Sequence, residues 1–336
     1  MVRYCRLFFI FLKERIVSLI MLSKRTVVLI LIAVSSVLNI SCTKKKSSNN
    51  INMAWQPIDS LNAELPDGIR VFEGIDENLP LKAWYAKISN RNEDIRVEVA
   101  ASDDSTGRET VASFAKDLGA CLVVNGGFFR MDLNPTRHVG LLAIGDEILE
   151  SATKSVIRDS LRFYIARGAV GFSEDGKVDI AWVSNRNDSL FEWKEPFENY
   201  PYFPGVKPEF SAAEYWDYPD ALSAGPVLVQ DSEIRVTSDE EVFFGTSIPN
   251  VHPRTAVGYT AKGELLLLVV DGRQGRSRGV DLNELSQIMI SLGAVEALNL
   301  DGGGSSSMVV NGVLLNFPAG GSVQREVMSA IAVFCN

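Results

Sequence analysis

The sequence is poor in the residues that most often hold metals: its 336 positions include two histidines, His138 and His252, and four cysteines, and no Cys/His run has the spacing of a zinc site. A surplus of positive charge is also missing. Lys and Arg number 33 against 42 Asp and Glu, a net charge of −9. Without a basic stripe the chain is a poor match for phosphate backbones, so nucleic acid is not an expected partner. No apolar run reaches the ~20 residues that a membrane-spanning helix needs. What is present suits a globular protein, with 46% apolar and 22% charged residues. One large domain is the simpler reading of the length, two small ones the alternative.

Residues Met1–Ser41 combine six Lys or Arg with the apolar run Val27–Leu38 and end in Ile40-Ser41-Cys42, which is the grammar of a signal peptide. Its tightest version starts at Met21, where Lys24 and Arg25 form the positive region. Cys42, after a small residue and ahead of a polar, lysine-rich stretch, reads as the lipidation site of a bacterial lipoprotein, with an ordinary leader cysteine as the alternative. Removing Met1–Ser41 takes away six basic residues and one acidic residue, leaving 27 Lys and Arg against 41 Asp and Glu and a net charge of −14. Residues 42–56 then form an anchor and flexible tether, and 57–336 the folded part. Cys121 and Cys335 sit in apolar, strand-like runs and read as buried free thiols, with a disulfide as the less favoured alternative.

Segments such as Ile69–Phe72, Ala83–Ile88 and Ile95–Val99 cluster β-branched and aromatic residues between turn formers and predict strands. Hairpins are expected around Gly145-Asp146, Asp175-Gly176 and Asn311-Gly312. Val111, Phe114, Ala115 and Leu118 fall at helical spacing, as do Leu285, Ile288, Met289 and Leu292. Residues 185–220, rich in Trp, Tyr, Phe and Pro, read as an insertion or lid whose aromatics stack on a sugar or pack on their own body. A short echo links two regions. Leu118-Gly119-Ala120 precedes a strand ending in Asn125-Gly126-Gly127, and Leu292-Gly293-Ala294 precedes one ending in Asn299, at the same interval. Two such loops side by side would frame one polar pocket, with chance similarity as the alternative. The expected fold class is α+β: an extensive, largely antiparallel sheet with two main helices packed on it, with internal duplication as an option.

The richest chemistry lies in Asn299-Leu300-Asp301-Gly302-Gly303-Gly304-Ser305-Ser306, where glycines let the backbone turn sharply and offer N–H groups to an anion. An acid, an amide and hydroxyls bracket those glycines. Arg254 opens a hairpin whose return strand ends in Asp271-Gly272-Arg273; two guanidinium forks there could clamp a phosphodiester, and an Arg254–Asp271 surface pair is the bland alternative. Glu284 follows Asp281 by three, a capping-box spacing that explains it without chemistry. The catalytic candidates are therefore Asp301 and Asp271 ahead of Glu284.

Asn125-Gly-Gly-Phe-Phe, Ser223-Ala-Gly-Pro-Val-Leu-Val, His252-Pro-Arg-Thr-Ala-Val-Gly, Asp271-Gly-Arg-Gln and Asn299-Leu-Asp-Gly-Gly-Gly-Ser-Ser, in that order, resemble the phosphodiester glycosidase family from about Leu81 to Phe334. The resemblance implies hydrolysis at the anomeric carbon of a sugar-1-phosphodiester of the N-acetylglucosamine type, releasing the sugar and leaving a phosphomonoester on the acceptor glycan. It implies a binding set of Asn125, Gly126, Gly127, Arg254, Arg273, Asn299, Gly302, Gly303, Ser305 and Ser306. Arg325 matches a late family arginine, although this chain lacks the proline usually found just after it. No soluble cofactor is implied. The partners are a phosphodiester-linked glycan and, through Cys42, the membrane of a bacterial cell envelope. Three rivals remain: a serine hydrolase using Ser305 or Ser306 with His252 as base, an Asp-only Ca²⁺ or Mg²⁺ phosphodiesterase, and a non-catalytic glycan-binding lipoprotein.

Overall fold

Strands form wherever β-branched and aromatic residues cluster, and the turns between them follow the local chemistry. Gly145-Asp146 and Asn311-Gly312 carry positive φ at both central positions, as two-residue hairpins require. The computed structural model describes residues 51–89, 94–321 and 323–335. The leader, Met21, Cys42 and most of the tether lie outside those residues. Ala54–Pro57 already pairs with the strand Ile69–Asp76, so sheet begins inside the stretch expected to be tether.

Three antiparallel sheets carry the fold. The eight-stranded sheet runs Ala54–Pro57, Ile69–Asp76, Leu81–Ile88, Leu265–Val270, Arg254–Thr260, Ala294–Asn299, Val227–Gln230, Glu233–Ile234. A five-stranded sheet has Leu122–Asn125 at its centre, between Met308–Val310 and Ser329–Cys335. The seven-stranded sheet is built round Arg167–Phe172, Val178–Arg186 and Asp220–Ser223. One apolar cluster takes Trp84, Val257 and Leu298 from the first sheet, Val124 and Ile331 from the second, and Val170 and Leu222 from the third, so all three share a core. The helix Leu282–Ser291 covers the other face of the eight-stranded sheet, and Val111–Leu118 that of the five-stranded one.

This corrects the expected α+β arrangement with two main helices and an optional duplication. The described residues hold three short α-helices, of four, eight and ten residues, against three sheets. The fold is sheet-dominated, because hairpin after hairpin satisfies the backbone by strand pairing and leaves the helices only two outer faces to cover. The aromatic segment also contributes strand: Ser189–Trp193 and Glu214–Tyr215 extend the seven-stranded sheet. Its rings pack on one another, Trp193 against Phe197 and Phe210, and Phe191 against Phe210 and Tyr215.

Cys121 and Cys335 are joined in a disulfide across 214 residues of sequence, in place of the two free thiols favoured by the sequence reading. Each thiol borders the same strand pair, a neighbourhood the sequence does not reveal. A crosslink closing so long a loop removes about 5 kcal/mol of chain entropy from the unfolded state in the simplest treatment. Cys335→Ser, or reduction of the native protein, should therefore lower unfolding stability by roughly 2–5 kcal/mol in urea melts. An unchanged midpoint with and without reductant would show that the crosslink does not constrain the chain.

Candidate active site

Two helix-to-strand units place the key loops. Thr110 caps the helix Val111–Leu118 through a bond accepted from the Ser113 amide, and Gly119 ends it in the left-handed region. The fully buried strand Leu122–Asn125 follows. Asp281 caps the helix Leu282–Ser291 with Glu284 completing a capping box, and Ala294–Asn299 follows. The two strand ends meet. Asn125 Nδ2 donates to the Asp301 carbonyl at 2.8 Å, and the Asp301 amide donates to the Gly126 carbonyl at 3.1 Å. Asn125 Oδ1 accepts from Thr255 Oγ1 at 2.7 Å and from the Ser307 amide at 3.2 Å. Asn125 is thus a tie between the loops rather than a group free to meet a ligand.

The three candidate carboxylates separate cleanly. Asp301 follows the strand end, remains partly exposed, and accepts the Gly302 amide at 2.8 Å. Burial pushes its pKa up to about 6, opposed by the nearby Ser305 hydroxyl, the Gly302 amide and Arg325. Asp271 is fully buried; its Oδ1 accepts from the Phe317 amide at 2.9 Å and from Asn316 Nδ2 at 3.2 Å, and burial again raises its pKa. Glu284 is spent on its capping box and a two-pronged pair with Arg278 at 2.7 and 3.0 Å. Of the three, Asp301 alone combines an open face with a shifted carboxyl.

The arginines sort by burial in the same way. Arg254, 3% exposed, donates Nε to the Val280 carbonyl at 3.1 Å and Nη2 to the carbonyls of Ile248, at 2.7 Å, and Asn250. Its guanidinium holds two loops together, and the expected clamp of Arg254 with Arg273 does not form. Arg273 and Arg325 are exposed and lie against consecutive glycines. A Cβ on Gly303 would sit 3.2 Å from Arg273 Nη2, and one on Gly304 would sit 2.6–2.8 Å from the Arg325 guanidinium. A side chain at Gly304 would push the Arg325 guanidinium off the loop. Arg325 makes no hydrogen bond among the described residues, and Arg273 makes one side-chain bond, to His252. Both guanidiniums thus reach solvent beside the glycine loop that follows Asp301, and that of Arg325 is close enough to act on its carboxyl.

Several loop amides are already used: Gly302 on the Asp301 carboxylate, Gly303 on the Pro253 carbonyl at 2.9 Å, and Ser305 on the Gly302 carbonyl at 3.3 Å. The hydroxyls are less used. Ser305 Oγ has the Asp301 carboxyl near it, while among the described residues Ser306 and Ser307 Oγ, Asn299 Oδ1, Ser223 Oγ, Asp271 Oδ2 and His138 Nε2 are buried polar atoms without a hydrogen-bond partner. Asn299 otherwise donates to the Gly225 carbonyl at 2.8 Å. Gly126 packs on Ser329, and Gly127 packs on His138 Nε2 and the Ser223 carbonyl. Unsatisfied polar atoms are rare in folded proteins. Their concentration round these loops leaves hydrogen-bonding capacity that buried water could take up.

The serine rival lacks its contact. Both ring nitrogens of His252 are engaged, with Arg273 and the Ser247 carbonyl, and neither reaches Ser305 or Ser306. Gly275-Arg276-Ser277-Arg278-Gly279 has the spacing of a nucleophile elbow and escaped the sequence reading, but Ser277 is buried and donates to the Asp271 carbonyl at 2.6 Å. No three His, Cys, Asp or Glu converge on a metal-sized position among the described residues. Sequence reasoning also missed Asn316, whose Nδ2 bridges Asp271 and the Ser306 carbonyl while its Oδ1 accepts from the Met308 amide. An asparagine between Leu315 and Phe317 carries no local signal of that role.

A carboxyl just past a strand end and two solvent-facing guanidiniums thus lie on one glycine loop, an arrangement with the charge to receive an anion. The chain belongs to the phosphodiester glycosidase family, whose model matches residues 118–334. It is 28% identical over 217 residues to N-acetylglucosamine-1-phosphodiester alpha-N-acetylglucosaminidase of Bos taurus, covering 64% of this chain and 36% of that protein. The Homo sapiens enzyme of the same name is 23% identical over 286 residues, 83% of this chain and 49% of its own length. The chain therefore spans between a third and a half of these relatives. In fold it resembles the catalytic domain of the zebrafish enzyme, auto-inhibited by its pro-peptide, with a TM-score of 0.55 at 19% identity over 87% of this chain and 86% of that one. A hypothetical protein from Synechocystis gives 0.57 at 17% identity, over 80% and 62%.

The tie through Asn125 is testable. Asn125→Ala would strand the Asp301 carbonyl, the Thr255 hydroxyl and the Ser307 amide in a buried setting, at a cost of about 3 kcal/mol. Urea unfolding measures this directly. Wild-type stability with activity lost would instead assign Asn125 to substrate contact.

Proposed function

We propose that this chain hydrolyses a sugar-1-phosphodiester of the N-acetylglucosamine type at its anomeric carbon, releasing the sugar and leaving a phosphomonoester on an acceptor glycan. The observation that carries this reading is the partly open Asp301 carboxylate near Arg325, with Arg273 over Gly303 of the same loop. The family supports it, as do the names of the two mammalian relatives. Arg273 and Arg325 bind the phosphate, and as the bond from the anomeric carbon breaks its electron pair departs on a phosphate oxygen. That leaving group is already stable, so charge neutralisation counts for more than proton donation. Asp301 acts at the sugar carbon, as nucleophile or as base for water. Asp271, fully buried, positions the Asn316–Phe317 segment. Ser305, Ser306 and Asn299, all buried, shape the wall of the site behind the glycine loop.

The proposed setting is the bacterial cell envelope, with Cys42 lipidated after removal of Met1–Ser41. The leader sequence supports this, and so does the Cys121–Cys335 disulfide, since such crosslinks persist in oxidising compartments.

Asp301→Asn should lower turnover of a GlcNAc-phosphodiester by about a thousandfold or more, measured as free sugar. Wild-type kcat should fall as pH drops through about 6, because Asp301 must be ionised to act. Stability moves the other way. A carboxyl whose folded pKa is raised contributes most below its unfolded value, near 3.8, and that contribution is lost as pH rises through about 6. Asp301→Asn should therefore be at least as stable as wild type at pH 7 while inactive. Full activity in this variant would reject the assignment, and binding without sugar release by the wild type would point to a glycan-binding protein.

A further inference from the structure

The proposed role of Arg273 leaves open why an exposed guanidinium should hold one position. Its backbone offers part of the answer: φ is +60°, a left-handed conformation that non-glycine residues seldom adopt, so its side chain leaves the turn in a fixed direction. The rest comes from His252. Arg273 Nη2 lies 3.1 Å from His252 Nδ1, and His252 Nε2 lies 2.8 Å from the Ser247 carbonyl oxygen. A carbonyl can only accept, so the ring hydrogen sits on Nε2 and Nδ1 presents a lone pair to the guanidinium. One tautomer of neutral imidazole satisfies both contacts.

We propose that His252 is a positioning residue: neutral, it fixes Arg273 against Gly303 for phosphate binding, and protonated, it releases the arginine, so that anion affinity falls on the acid side. This rests on the reading of Arg273 as a phosphate ligand. With both ring nitrogens protonated, His252 and Arg273 would face each other as two donors and two like charges. The charged groups round the ring are Arg254, two residues on at the start of the following strand, and Arg273 from the turn after Val270. Asp281, at the N-terminus of the helix Leu282–Ser291, acts on Arg254, while the Ser247–Asn250 loop supplies carbonyl oxygens. Burial and the two arginines hold the His252 pKa below its ordinary value, which keeps the ring neutral at pH 7. Protonation of Asp301 cannot mimic the effect, because it removes a negative charge and would strengthen anion binding in acid.

The test uses dimethyl phosphate, a diester whose charge is constant over the range, titrated into the mature full-length protein and followed by NMR. The wild-type affinity should weaken about tenfold between roughly pH 7.5 and 5. His252→Asn keeps an acceptor near the Nδ1 position but cannot be protonated, so it should bind at neutral pH and lose the acid-side weakening. His252→Ala should bind poorly throughout. Arg273→Gln should raise the His252 pKa by removing a positive neighbour, a readout independent of any ligand. The same acid-side weakening in His252→Asn as in wild type, or an unmoved His252 pKa in Arg273→Gln, overturns the proposal. Sugar release is measured separately: if the wild type shows the binding pattern yet frees no sugar, the glycosidase reading fails and the positioning role stands.

Discussion

The site depends on one buried amide. Asn125 donates to the Asp301 carbonyl and accepts from Thr255 and Ser307, so the ends of strands in two different sheets become a single unit. In a low-dielectric interior these bonds are stronger than in water, and breaking one leaves its partner without recourse. That asymmetry explains why the glycine loop, with three consecutive residues that lack side chains, holds a definite shape. The reciprocal bond from the Asp301 amide to the Gly126 carbonyl fixes the residue that bears the shifted carboxyl. A loop free to move would let water solvate that carboxyl and return its pKa to the ordinary range.

Desolvation then decides which charged residues serve structure and which face the substrate. A buried guanidinium must find partners within the protein, and Arg254 finds backbone carbonyls from two loops. Having spent its donors, it has little left for a ligand. Arg273 and Arg325 remain in contact with water and keep most of theirs. The carboxylates divide likewise, with Asp271 enclosed and fastening a backbone segment, and Asp301 open on one side. Chemical type alone does not separate these roles; depth does.

This explains what could be read from the sequence. Strand positions, hairpin turns and both outer helices were legible because they follow from local periodicity and turn chemistry. The echo between Asn125 and Asn299 correctly pointed to two strand ends in one place, and Glu284 was recognisable as a capping residue from spacing alone. Arrangement in space was not legible. Nothing local tells that strands far outnumber helices in the packing, that Cys121 and Cys335 are neighbours, or that Arg254 points into the protein while Arg325 points out. Asn316 was missed, and His252 was considered only as a base for a serine, for the same reason, since their contacts are with partners distant in sequence.

For a strongly acidic protein to bind an anion, as proposed, it must concentrate positive charge locally, and the balance then rests on the two guanidiniums over the glycine loop. Placing them there is costly: burial opposes ionisation of Asp301, and Arg273 occupies an unfavourable backbone region. Such costs persist only where the surroundings over-determine the geometry. The antiparallel sheets and the crosslink between Cys121 and Cys335 supply that rigidity. Gly304 lets Arg325 come down onto the loop itself, which brings a positive charge close to Asp301 and partly offsets the burial that raises its pKa. In the proposed reaction, the guanidinium that receives the departing phosphate thus also favours the ionised form of the carboxyl assigned to act at the sugar carbon.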